Sequence, residues 1–170
     1  MTSCFHLLIR LLRGIILASF TAAIGSLLGF MIVQRVIFPD YTSIFGLQSY
    51  LRYELPFYPL ATFPLLLLIW RLAPPNLISY VLPAVSLGVI GAIFSIDVRL
   101  WLGDEALAAL IAEMGTPDGR PSLLIIVMFM ISALPIGLFA GLAAWSTLHV
   151  WVQVPSPSMV RAARRMKSAQ

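Results

Sequence analysis

The sequence predicts an all-helical, polytopic membrane protein: a bundle of four transmembrane helices with short interfacial helices in its first and third loops. Three observations carry that prediction. Of 170 residues, 60% are hydrophobic and 11% charged, with a mean hydropathy of +0.96, whereas a soluble domain carries about 25% charged residues. Uncharged apolar runs recur along the chain, as a hydrocarbon core of about 30 Å demands of spanning helices. The length leaves room for about four such helices, so residues 1–170 are expected to form a single integral membrane domain.

The first run lies between Arg13 and Arg35 and predicts a span over about 14–34. It is too long for a signal-peptide core, and cleavage near Thr21-Ala22-Ala23 is not expected. The second run predicts a span over about 55–72, with Pro56, Pro59 and Pro64 confined to its first turns, where missing amide donors matter least. Ala73-Pro74-Pro75-Asn76 breaks the chain, and a third span follows over about 77–96, kinked at Pro83. The fourth run, Pro121 to Val160, contains no formal charge and predicts a span over about 123–148. A helix of that length reaches about 40 Å, so tilt or a kink at Pro135 must absorb the surplus. A re-entrant hairpin at Leu134-Pro135-Ile136-Gly137 is the alternative.

Arginine placement sets the expected orientation. Arg10, Arg13, Arg71, Arg161, Arg164, Arg165 and Lys167 fall on one side of a four-span topology, against Arg35, Arg52, Arg99 and Arg120 on the other. By the positive-inside rule both termini are cytoplasmic, with 159–170 as a basic cytoplasmic tail that touches anionic lipid. Arginine outnumbers lysine ten to one, which favours a bacterial inner (plasma) membrane. Basic stretches interleaved with aromatics are lacking, so no nucleic-acid partner is expected.

The loops carry some content. Tyr41, Tyr50, Tyr53 and Tyr58 cluster in the first loop with Phe38, Phe45 and Phe57. Rings with a polar tip are stable at headgroup depth, so the loop is expected to lie along the membrane surface; a ligand-binding aromatic box is the sharper reading. In the third loop, Asp104 is expected to cap a short helix ended by Gly115 and Pro117. Its Leu107, Leu110, Ile111 and Met114 share one face. Asp97 and Arg99 are expected to act as interfacial anchors or an ion pair.

Chemistry is scarce. Cys4 is the only cysteine, which removes disulfides, CxxC redox pairs, haem attachment and zinc clusters. Asp, Glu, Lys and Arg all fall at or outside the predicted span boundaries, which argues against pumps and proton relays. Ser19, Thr21, Ser26, Ser86, Ser95 and Ser132 are expected to bond back to their own helices. His6 and His149 both fall at the cytoplasmic end, where a haem ligand pair is conceivable but His6 is too shallow. Asp40 and Asp97 form a conceivable membrane-face carboxylate pair. No catalytic, cofactor-binding or metal residues are assigned, and no cofactor is expected.

Helix packing is the strongest positive signal. Gly25 and Gly29 form one GxxxG, Gly137 and Gly141 another, and Ala84, Gly88 and Ala92 repeat the spacing. Small residues one turn apart let backbones approach in a solvent where hydrophobicity cannot drive association. These faces serve packing within the monomer, or a membrane-protein partner or homo-oligomer. The expected function is a non-enzymatic accessory, assembly or regulatory subunit of a larger membrane complex. The alternatives are an oligomeric channel or carrier for a small uncharged solute and, third, a membrane-face hydrolase using Asp40 and Asp97.

Overall fold

The computed structural model describes residues 2–72 and 76–153, and among these the regular structure is entirely helical. The Ala73-Pro74-Pro75 breaker and the basic tail lie outside the described residues. The helices are α1 (Thr2–Ile32), α2 (Leu47–Tyr53), α3 (Tyr58–Leu72), α4 (Ile78–Trp101), α5 (Glu105–Met114) and α6 (Leu123–Ser146). A π-helical turn follows α1 at Val33–Ile37 and another follows α6 at Thr147–Trp151. Three helices are long and apolar enough to cross a membrane. They become four if the pair α2 and α3, bent by 66°, counts as one broken span.

The helices depart from the sequence expectations at their ends. α1 starts well before Arg13, because Arg10 and Arg13 are exposed and cost the helix nothing. Arg10 also donates to the Val152 carbonyl at 3.0 Å, tying the start of the chain to the end of α6. Pro64 lies inside α3, not in its first turns. α3 alone rises only about 22 Å at 1.5 Å per residue, short of a hydrocarbon core. α4 continues past Ile96 to Trp101, so Asp97 and Arg99 sit on its last turns. α6 is one continuous helix through Pro135, and the hairpin alternative is not formed.

α6 is the centre of the packing, and glycine is the reason. A Cβ on Gly25 would collide with the Phe139 carbonyl oxygen, and one on Gly29 with that of Pro135. On the opposite side of α6, a Cβ on Gly137 would lie 2.7 Å from Val85 Cα and one on Gly141 2.7 Å from Val81 Cα. The GxxxG of α1 thus seats on α6, and the GxxxG of α6 seats on α4. Both small-residue faces are occupied within the chain. Gly88 of the third stripe meets Ala133 more loosely, a Cβ there lying 3.4 Å from its carbonyl oxygen, and Ala92 is buried.

The hydroxyls mostly serve their own helices. Ser19, Ser26, Ser95 and Ser132 donate to carbonyls three or four residues back. Thr21 bonds back to Ala18 and also meets Thr147 at 2.7 Å, linking α1 to the end of α6.

The first loop is partly folded into the bundle, with Asp40, Gln48 and Arg52 left exposed. Ile44, Phe45 and Tyr50 are buried in the core cluster with Phe30, Leu107 and Phe129. Tyr50 stacks on Phe30 at 4.3 Å, and its hydroxyl hydrogen-bonds Ser26 of α1. In a water-poor interior that bond gives the phenol the partner it must have.

Replacing Gly29 by Leu should separate α1 from α6 and lower stability by more than the ~1–3 kcal/mol typical of overpacking, because backbone atoms occupy the space. Gly91→Ala, where a Cβ meets nothing within 4 Å, should instead be neutral or stabilising by up to ~1 kcal/mol. Thermal unfolding of the two variants in the same detergent checks the contrast.

Candidate functional site

One end of the bundle holds a buried charge cluster that no local pattern announces. Arg99, on the last turns of α4, is 1% exposed. Its Nε donates to Asp104 Oδ2 at 2.8 Å, and one terminal nitrogen lies 2.6 Å from the same oxygen. That nitrogen also donates to Ser49 Oγ at 2.6 Å and to the Ile44 carbonyl at 2.9 Å. The other terminal nitrogen reaches Glu54 Oε1 at 3.4 Å. The guanidinium further lies 5.6 Å from the Tyr53 ring centre and 5.3 Å from that of Phe129, within the range of cation–π attraction.

Local chemistry explains why each partner is available. Asp104 precedes α5 in an extended conformation, and its Oδ1 accepts from the Leu107 amide at 3.1 Å, capping the helix. The carboxylate therefore serves two positive ends, with one oxygen for the helix and one for Arg99. Leu107, Leu110 and Ile111 of α5 are buried, so the short helix packs into the bundle on the face its sequence marks. Ser49 and Ile44 belong to the infolded first loop, and Glu54 sits in the turn between α2 and α3. Arg99 thus fastens three segments to α4.

The expected Asp97–Arg99 pairing is not formed. One hundred degrees per residue places neighbours two apart on different faces of a helix, and Asp97 is exposed while Arg99 points inward. Asp40 is exposed as well, and neither aspartate makes a side-chain hydrogen bond or ion pair among the described residues. His149 is not joined to His6. Its Nε2 lies 3.0 Å from the Tyr80 hydroxyl and its ring packs on Tyr80 and Trp145, while His6 is exposed on α1. No group of three or more His, Cys, Asp or Glu able to hold a metal occurs among the described residues.

Glu54 is the cluster's weakly held member. Burial pushes its carboxyl above the ordinary 4.5, opposed by Arg99 alongside, with Asp104 adding a smaller upward push. Beside it opens a cavity of about 600 Å³ between α3 and α4, floored by α6 and lined at this end by Tyr53, Glu54 and Tyr58. Of the first-loop tyrosines that suggested an aromatic box, these two face the cavity, while Tyr50 is spent on packing.

Together these features define an all-helical membrane bundle with a cross-braced charge cluster at one end and a lateral, largely apolar cavity. Comparison with protein-family models, with characterised proteins and with solved structures gives no match.

Arg99→Met should cost about 3–5 kcal/mol, because it leaves the buried Asp104 and the half-buried Glu54 without a counter-charge. Adding Asp104→Asn and Glu54→Gln should restore part of the loss, as read by thermal unfolding in detergent. Glu54 also gives a pH signature. Its folded-state value is raised, so its stabilising contribution is complete below 4.5 and declines as pH rises through the folded value. Unfolding midpoints measured upward from pH 4.5 should show that decline, and Glu54→Gln should flatten it.

Proposed function

We propose that this protein is a non-enzymatic accessory or assembly subunit of a larger complex in a bacterial inner membrane, with four spans and both termini cytoplasmic. The observation that carries this reading is the poor burial of α4. Only 11% of its apolar window is buried inside the chain, against 50% for α1 and 44% for α6. α4 packs on α6 along one side alone. Leu82, Ser86, Ile90, Ile93 and Asp97 fall on one outward face by helical spacing, and all are exposed. The small-residue faces of α1 and α6 are consumed internally, so this outer face of α4 is the surface offered to a partner helix. A chain whose central ionisable side chains are fixed in a structural brace suits a role of packing and contact.

Gentle detergent extraction should recover the chain in an assembly larger than itself. Ile90→Trp adds bulk to the outer face of α4 without entering the bundle. It should cut partner recovery severalfold while leaving the thermal midpoint of the isolated chain unchanged. A monodisperse monomer from wild-type membranes under the same conditions overturns the reading.

A further inference from the structure

Two stripes on the outside of the bundle are left uncovered, one on α1 and one on α4. On α1 the stripe is Phe20, Ile24, Leu28 and Met31, followed by Arg35 on the π-helical turn, and all five side chains are exposed. On α4 it is the outward face of Leu82, Ser86, Ile90, Ile93 and Asp97. Each stripe steps by four, four, three and four residues, the spacing that keeps side chains on one side of a helix. Each also carries a single charge at its C-terminal end, of opposite sign on the two helices. Neither Arg35 nor Asp97 makes a hydrogen bond or ion pair among the described residues.

α6 fixes how these stripes stand relative to one another. Gly25 and Gly29 of α1 lie against Phe139 and Pro135, while Gly141 and Gly137 of α6 lie against Val81 and Val85 of α4. Rising residue numbers on α1 and on α4 therefore both meet falling numbers on α6, so α1 and α4 run parallel to each other. Phe139 is midway between Gly137 and Gly141, which sets Gly25 at the height of Pro83. By the same register Ile24 stands level with Leu82, and Leu28 with Ser86. Arg35 comes level with Ile93, about 6 Å short of Asp97 at 1.5 Å per residue. An arginine stem can extend over that rise toward the membrane surface, and an aspartate on a helix leans back toward the N-terminus to meet it. Because α6 stands between α1 and α4, the two charges of one chain do not meet each other.

We propose that the outer face of α4 receives α1 of a second copy of this chain, the two stripes packed in parallel with Arg35 of one copy paired to Asp97 of the next. The inference rests on the reading that this face takes a partner helix, and it names the partner. Charge selects this pairing over the symmetric ones. A two-fold contact of α4 on α4 would set Asp97 against Asp97, and one of α1 on α1 would set Arg35 against Arg35, each a like-charge pair at the edge of a low-dielectric layer. The contact of α1 on α4 neutralises both charges. Copies that share one membrane orientation differ only by rotation about the membrane normal, so heights are kept and the register set by α6 carries over to the contact between chains. Such a contact is head-to-tail. Each copy uses α1 toward one neighbour and α4 toward the other, and repetition about an axis along the normal closes a ring. The apolar side chains supply the packing, and the ion pair fixes register and partner.

The test is disulfide trapping of the full chain in native membranes, its one cysteine removed by Cys4→Ser. Leu28→Cys and Ser86→Cys, combined in one chain and oxidised with copper phenanthroline, should give a ladder of dimers and higher species on non-reducing gels, because each copy then carries both halves of the contact. Either substitution alone should give no ladder. With both cysteines in place, Arg35→Asp or Asp97→Arg should weaken the ladder severalfold, and the two reversals together should restore it, which separates a lost ion pair from a damaged fold. An absent ladder, cross-linking by either single-cysteine variant, or reversals that fail to restore the ladder overturns the proposal. If the ladder is absent while gentle extraction still recovers the wild-type chain with a different membrane protein, the second-copy partner falls and the accessory reading stands; a wild-type monomer overturns both.

Discussion

Everything in this bundle depends on how closely α6 is approached from two sides. In a bilayer, lipid tails are as apolar as leucine, so burial alone gives helices little reason to associate. What holds them is backbone-to-backbone contact, and that needs residues without side chains. Gly25 and Gly29 bring α1 onto the carbonyls of Phe139 and Pro135, while Gly137 and Gly141 bring α6 onto Val85 and Val81. The three long helices become a close-packed layer, and α3, which has no such residues, is left at its edge against α1. The cavity between α3 and α4 follows from that difference.

The second constraint is Arg99. A guanidinium almost fully removed from solvent must have its donors and its charge satisfied, or the desolvation cost exceeds what packing returns. Here the partners come from the infolded first loop, from the turn before α3 and from the cap of α5. Because all of them converge on one side chain, the loops at this end are organised by electrostatics, whereas the spans are organised by van der Waals contact. The same arrangement leaves Glu54 held to Arg99 through one oxygen at 3.4 Å, and its carboxyl gives the apolar cavity a polar end.

Some of this was written in local sequence. The GxxxG spacings of α1 and α6 pointed to close backbone contact, Asp104 and the Leu107, Leu110 and Ile111 stripe announced a capped short helix, and the back-bonding of Ser19, Ser26, Ser95 and Ser132 followed from helical geometry. Each of those signals acts within a turn or two of chain. The site was not legible. The sequence put Arg99 beside Asp97, its near neighbour, because spacing was the only guide. The infolding of Phe45 and Tyr50 was equally hidden, since an aromatic ring with a hydroxyl tip is as stable at a headgroup as against a buried serine.

Composition and the placement of charges thus determined that the chain is helical, apolar and suited to a membrane, because a bilayer tolerates few other solutions. They did not determine which charges would leave the surface. Arg99 is separated by 45 residues from Glu54 and by 50 from Ser49, and only the packing of α4 on α6, with the first loop folded over it, brings those groups within bonding distance. The sequence carried the short-range rules that make each helix. The buried cluster, and the cavity it guards, arise from long-range contacts, whose partners no local periodicity can name.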